Sequence, residues 1–358
     1  MKDCVLVTGG AGFIGSALST DLFHFGMDVV AVDSFLEQVH PSRKRSEFLD
    51  PRVVLIKGDV RSPETWTTLL AEYRPLTIIH LAAETGTAQS LTEATRHASV
   101  NVVGTSEMLD ALTRADVRPK RILLASSRAV YGEGKWQDPS TGAAFYPLPR
   151  THETLAAGLW EPEAPSGQPG HPLPHRAAEV FPKPTSIYGS TKLAQEHILT
   201  SWCGAFGVPL SILRLQNVYG EGQSPFNSYT GIINVFHRMA RAGQSIPVYE
   251  DGLIGRDFVH VDDVVAAMMA CLKANDSEDH LLDVGTGVKT TILDAAMAIA
   301  EIYGAPAPHI CGKFRDGDVR SAVADVTDLT AETMVKPAIT FPDGSKRVGD
   351  WLVSRGHI

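Results

Sequence analysis

Through the first half of the chain, short apolar runs alternate with longer stretches whose apolar residues recur every three to four positions. CVLVTG (4–9), DVVAVD (28–33), VVLIKGD (53–59), TIIHLAA (77–83) and RILLAS (121–126) are continuous runs, without polar alternation. A strand covered on both faces reads this way, because neither side of it meets water. Between them, GFIGSALSTDLFHFG (12–26) reads as a helix with a glycine stop, and about 62–73 and 99–114 also carry helical patterns. Strands joined by helices in this order predict a parallel sheet in a doubly wound α/β fold.

The pattern breaks at Gly132. From there to Pro184 lie ten of the chain's 22 prolines, and the stretch is expected to be mostly irregular surface loop. A loop that long is a lid, a partner contact or a tolerated insertion. Regular structure resumes with a helix carrying Tyr188 and Lys192, then the strand PLSILRLQN (209–217). DFVHVDDVVAAMMACLKA (257–274) reads as a short strand running into a helix, and the C-terminal segments are mixed.

With 358 residues, 44% hydrophobic and 20% charged, the chain is that of a globular protein with a large core. The formal charge of −9 argues against a nucleic-acid partner, although a local cationic pocket could still bind an anion. Cys4, Cys203, Cys271 and Cys311 are far apart and form no CxxC pair, so no metal or redox motif is expected. Met1 leads almost directly into CVLVTGG, which predicts no signal peptide. No apolar run reaches the roughly 18 residues of a membrane span, so a cytoplasmic location without membrane contact is expected.

VTGGAGFIG (7–15) follows the first strand and opens the first helix, with Gly9, Gly12 and Gly15 at GxxGxxG spacing. Glycines there let backbone N–H groups and a helix N-terminus approach a pyrophosphate. Asp33 ends the second strand, 18 residues after Gly15, where an acid can accept both hydroxyls of an adenosine ribose. A 2′-phosphate would meet repulsion there, so the pattern favours NAD over NADP. TSIYGSTK (185–192) puts Tyr188 and Lys192 one helical turn apart, on one face. From that spacing alone they are either a catalytic pair or two solvated neighbours.

These motifs, with GDVR (58–61), HLAA (80–83), NVVGT (101–105), SSRAVYG (126–132), RLQNVYGEGQ (214–223), GRDFVHVDDV (255–264) and RDGDVRSAVADVTDL (315–329), occur in the order of a known family. The chain resembles the extended short-chain dehydrogenases/reductases, the NAD-dependent epimerases and dehydratases of nucleotide sugars. AAETGTAQS (82–90), the insertion and NSYTGIINVFHRMARAGQSIPVYEDG are most similar to the branch of dTDP-L-rhamnose 4-epimerases. The resemblance implies a Rossmann-type domain over 1–217 and about 254–280, interrupted by the proline-rich insertion at about 133–184. A smaller nucleotide-sugar-binding domain would comprise 218–253 and 281–358.

The resemblance also assigns roles. Ser127, Tyr188 and Lys192 would be catalytic. The tyrosine exchanges a proton with a sugar hydroxyl while hydride moves to or from the nicotinamide. A free tyrosine, with a pKa of about 10, is a poor base. The Lys192 ammonium and the positive nicotinamide would lower it. Gly9, Gly12, Phe13, Ile14, Gly15, Asp33, Asp59, Val60, Leu81, Ala82, Ala83 and Asn101 would bind NAD with Tyr188 and Lys192. Thr85, Thr87 and Ser127 would face the sugar, Asn217 would contact the sugar or the diphosphate, and Arg128 would bind the substrate. Arg256 and Arg315 would hold the diphosphate, and Asp318 the nucleotide ribose. His80 reads as a core histidine, and His260 and Asp262 as structural. The family's dehydratases carry Asp-Glu directly after the serine, whereas this chain has Arg128-Ala129, so a 4-epimerase is implied. A net oxidoreductase that releases its cofactor, a UDP-sugar 4-epimerase and a non-catalytic NAD-binding sensor are the rival readings. Helices at about 91–114 and 188–206 are expected to pair in a homodimer.

Overall fold

Seven parallel strands form one sheet: β1 (Lys2–Thr8), β2 (Val29–Asp33), β3 (Val54–Lys57), β4 (Tyr73–His80), β5 (Arg121–Ser127), β6 (Leu210–Leu215) and β7 (His280–Val284). Their order is β3-β2-β1-β4-β5-β6-β7. The computed structural model describes residues 1–24, 26–40, 45–225, 231–273 and 277–358. Successive residues of a strand point to opposite faces. In β1, Val5 and Val7 therefore pack with Leu18 and Leu22 on one face, while Leu6 packs with Trp66, Ile78 and Met108 on the other. Helices α1 (Phe13–His24) and α5 (Val261–Lys273) cover the first face. The second is covered by α2 (Pro63–Glu72), α3 (Gly104–Arg114) and α4 (Ile187–Phe206). The chain reverses direction across the sheet between β1 and β4, and such a switch point leaves a crevice at the carboxyl ends of the strands.

Several elements differ locally from the sequence pattern. Leu81–Ala83 leave β4 at its carboxyl end and line the crevice. The helix expected over 99–114 opens with a π-helical turn, Ser99–Val103, before α3. The run 209–217 splits. β6 stops at Leu215, and Asn217–Tyr219 pairs instead with Phe258–His260, away from the main sheet. Phe25 and Ala274, within two of the expected helical stretches, lie outside the described residues.

The segment 132–184 is mostly irregular, as expected, and is held by a few short elements. Trp136–Gln137 pairs with both Ala144–Phe145 and His171–Pro172, and His152–Ala156 forms a short helix with Thr151 as its cap. Trp136 is fully buried, and its Nε1 donates to the Glu133 carbonyl at 2.8 Å. Truncating a tryptophan so enclosed costs about 3–5 kcal/mol. A second apolar core, including Ile233, Phe236, Ile254, Ile299 and Leu352, joins segments around 219–258 to the helices Ile292–Tyr303 and Phe341–Ser354.

Candidate active site

At the end of β1 the chain turns through Gly9, whose φ is +66°. A Cβ there would lie 2.8 Å from the Ala82 backbone nitrogen, so only glycine fits the turn beside β4. The first turn of α1 follows, and its N–H groups have no partner within the helix. Asp33, 8% exposed at the end of β2, accepts from the Ala11 and Phe35 N–H groups at 3.1 and 2.9 Å. His40 Nε2 stands 3.6 Å from the same carboxylate. Asp59 is bound by the Arg61 guanidinium, which holds its carboxyl below the usual range. A bare backbone cradle, a helix N-terminus and an acid fixed at the second strand end fit a dinucleotide with an unphosphorylated ribose.

Helix α4 is capped by Ser186, which accepts from the Gly189 N–H at 3.0 Å. A Cβ on Gly189 would come 2.4 Å from the Ala129 carbonyl. That close approach seats the helix against the turn following β5, bringing Tyr188 to Ser127. Burial pushes the Tyr188 phenol up, while a hydrogen bond from Ser127 and the charge of Arg128 oppose it. Lys192, 2% exposed, donates from Nζ to Gln195 Oε1 at 2.5 Å. Burial lowers its ammonium to about 7, against the pull of Glu196. Arg128 lowers the phenol, and Lys192 lines the same cavity with its ammonium on Gln195.

Beyond the tyrosine the cavity becomes cationic. Arg128 Nε donates to Asn217 Oδ1 at 3.0 Å, and burial with the nearby Arg256 lowers its guanidinium to about 10. Arg256, 4% exposed, donates to Asp318 Oδ1 at 2.6 Å. Burial raises the Asp318 carboxyl, but Arg256, Arg128, Arg150 and Arg315 outweigh it and hold the group low. Asp318 is the counter-ion of an arginine cluster, engaged by Arg256, and it lines the cavity. Arg150, from the insertion, donates to the Asp318 carbonyl at 2.7 Å and pairs with Glu250 at 2.9 Å. Arg315 lies over the Tyr249 ring, 5.3 Å from its centroid.

One cavity of about 860 Å³ runs from the Gly9 turn and Asp33 past Ser127, Tyr188 and Lys192 to Arg256, Arg315 and Asp318. Every residue expected in the site from the sequence lines it except Asn101. Asn101 is fully buried in the π-helical turn, where its amide bonds both backbone groups of Glu84 and the Thr191 hydroxyl. It braces the loop that carries Thr85 and Thr87. Sequence reasoning missed His40, Glu84 and the apolar wall of Val235, Phe236, Met239 and Ile254. The amphipathic pattern of Ile232–Arg241 was the available signal for that wall. His260 bonds Glu221 at 2.8 Å, away from the cavity. Among the described residues no His, Cys, Asp or Glu group could hold a metal, and no helix is long and apolar enough to cross a membrane.

The family model for GDP-mannose 4,6 dehydratase matches residues 6–148, and that for the NAD-dependent epimerase/dehydratase family matches residues 164–285. A dTDP-L-rhamnose 4-epimerase from Burkholderia thailandensis is 48% identical over 349 residues, which is 97% of this chain and 94% of that protein. The chain belongs to the NAD-dependent epimerase/dehydratase family of extended short-chain dehydrogenases/reductases. The NAD complex of Thermus thermophilus UDP-glucose 4-epimerase superposes with a TM-score of 0.78 at 28% identity, covering 99% of both chains. The Thermotoga maritima UDP-glucose 4-epimerase with UDP-glucose gives 0.77 at 27%, again covering 99% of both.

Proposed function

We propose that the protein is a nucleotide-sugar 4-epimerase that uses bound NAD catalytically, with a dTDP-6-deoxyhexose such as dTDP-L-rhamnose or dTDP-6-deoxy-L-talose as substrate. The observation that carries the reading is one cavity joining a dinucleotide cradle, Ser127, Tyr188, Lys192 and an arginine-lined end. The 48% identity to the Burkholderia enzyme supports the choice of sugar and base.

When bound, NAD accepts hydride from the sugar C4 and returns it. Tyr188 takes the O4 proton as C4 becomes a ketone and gives it back after the sugar has turned over. Ser127 hydrogen-bonds the same oxygen, and the Arg128 charge favours the phenolate. Arg256 and Arg315 hold the diphosphate with guanidinium forks. Asp33 and the Gly9 turn hold the dinucleotide, within a Rossmann domain of 1–217 and about 254–280. The remainder forms the nucleotide-sugar domain. Ala129 cannot titrate and Arg128 stays protonated at neutral pH, so neither supplies the acid–base pair that loss of water needs.

Val103, 54% exposed, precedes α3, which packs beside α4 on the outside of the sheet. We place a homodimer contact along these helices, across a two-fold axis. Sedimentation showing only monomer at micromolar concentration would remove it. The activity is tested by incubating dTDP-L-rhamnose with enzyme and no added reductant. The 4-epimer should form without free NADH. Conversion only with stoichiometric NADH would make the protein a ketoreductase.

A further inference from the structure

We propose that Gln195 is the positioning residue of Lys192, its amide locked in orientation by Thr105 and His80. This rests on the reading of Lys192 as a catalytic group of the proposed epimerase. All four side chains are nearly or fully buried. Thr105 Oγ1 donates its single hydrogen to the Asn101 carbonyl at 2.6 Å. A lone pair is then left to accept from Gln195 Nε2 at 2.8 Å. His80 Nε2 lies 2.9 Å from Thr105 Oγ1 and 3.2 Å from Gln195 Nε2, and its Nδ1 lies 2.7 Å from the Thr8 hydroxyl. It stays neutral, because burial and the Lys192 charge lower its pKa to about 3.

This donor count fixes the amide. With the NH2 of Gln195 turned to Thr105, its oxygen must face Lys192 Nζ. The reverse orientation would set two donors against each other. Lys192 therefore commits one N–H to a fixed acceptor and lines the cavity with the rest of its head group. The groups that bear on its charge are Glu196 on its own helix and neutral His80 from β4. Tyr188 is one turn away on α4. A buried ammonium that loses its acceptor is less stable than the neutral amine. One that gains a carboxylate partner is more stable.

The test measures the titration of Lys192 by competitive amine labelling and mass spectrometry in the full chain, with and without NAD. The midpoint in the wild type is expected at about 7. Gln195→Leu should lower it by about one pH unit, and the near-isosteric Gln195→Glu should raise it by a similar amount. If Gln195→Leu does not fold, Gln195→Met replaces it. The alkaline limb of the pH–rate profile should move the same way in each variant. Equal midpoints and profiles, with only the thermal midpoint changed, would reduce Gln195 to a structural residue and overturn the proposal. If labelling shifts as expected but the wild type epimerises no sugar nucleotide, the functional reading fails and the placement of Lys192 stands.

Discussion

Gln38 and Gln89 exchange a reciprocal pair of amide hydrogen bonds, 3.0 and 3.1 Å long. Gln38 follows β2 and Gln89 follows β4, and the segments holding them both line the cofactor end of the cavity. The pair ties one wall to the other. Each such bond contributes about 1 kcal/mol, so Gln38→Ala should speed NAD dissociation about fivefold or more. The check is the NAD content of protein passed through gel filtration. Retention equal to the wild type would deny the pair a closing role.

Asp33→Ala should weaken NAD binding and relax discrimination against NADP. The carboxylate is held by the Ala11 and Phe35 amides, so its position is set before a ribose arrives. A 2′-phosphate entering beside it would meet like charge. Binding titrations with both cofactors decide the matter, and an unchanged preference would take Asp33 away from the ribose.

Arg128→Met should cut kcat about 10- to 100-fold and move the pH optimum upward. The substitution deletes a cation that favours the Tyr188 phenolate, and one pKa unit is about 1.4 kcal/mol. Arg128→Lys should recover part of the loss. An unchanged pH–rate profile in Arg128→Met would assign Arg128 to the substrate alone.

How much of this was readable in advance depended on the range of the interactions. The β1 and β5 runs and the Gly9 turn declare themselves locally, since continuous burial and a tight glycine turn each leave a mark in a few residues. The insertion does not. Its strands are two residues long, too short for any period. Its anchors join distant positions, as in Arg150 with Glu250 and with the Asp318 carbonyl. Asn101 matched a motif, yet the π-helical turn directs its amide into the protein and off the cavity. Gln195 looked like any polar helix residue. Its role depends on Thr105 and His80, which only the fold brings to it.

Acid should destabilise the protein through its buried histidines. Burial holds His80, His175 and His237 neutral, at about 3, 3 and 4. Unfolded, each titrates near 6.5. Below that pH the unfolded chain binds three more protons at these sites, so stability falls as pH falls. Asp283 works the other way. Burial raises its carboxyl to about 7, so the folded chain keeps a proton that the unfolded chain releases above about 4. Burial also raises the carboxyls of Glu133 and Asp257, which act in the same sense as Asp283, so substitution isolates the histidine contribution. Urea unfolding at pH 6 and 5 measures the slope of stability against pH, and His175→Asn should reduce it by about one proton. An unchanged slope in His175→Asn would mean that this histidine is charged in the folded state.

The path of hydrogen separates the 4-epimerase from the other reactions of its family. In the proposed cycle the C4 hydrogen leaves as hydride and returns to the same carbon, and the nicotinamide position that carries it does not exchange with water. Tyr188 exchanges only the O4 proton. Conversion of dTDP-L-rhamnose in D2O should therefore give the 4-epimer with full proton intensity at every ring carbon. A dehydratase or a 3,5-epimerase must instead remove a carbon-bound proton beside the ketone, which needs an acid–base pair. Arg128, protonated at neutral pH, and Ala129 occupy the positions after Ser127, and neither can do so. Proton NMR of the product decides the question. Loss of the C5 proton signal would show carbon acid chemistry and sink the assignment. Retention of that signal together with inversion at C4 would leave hydride transfer from and to C4 as the route.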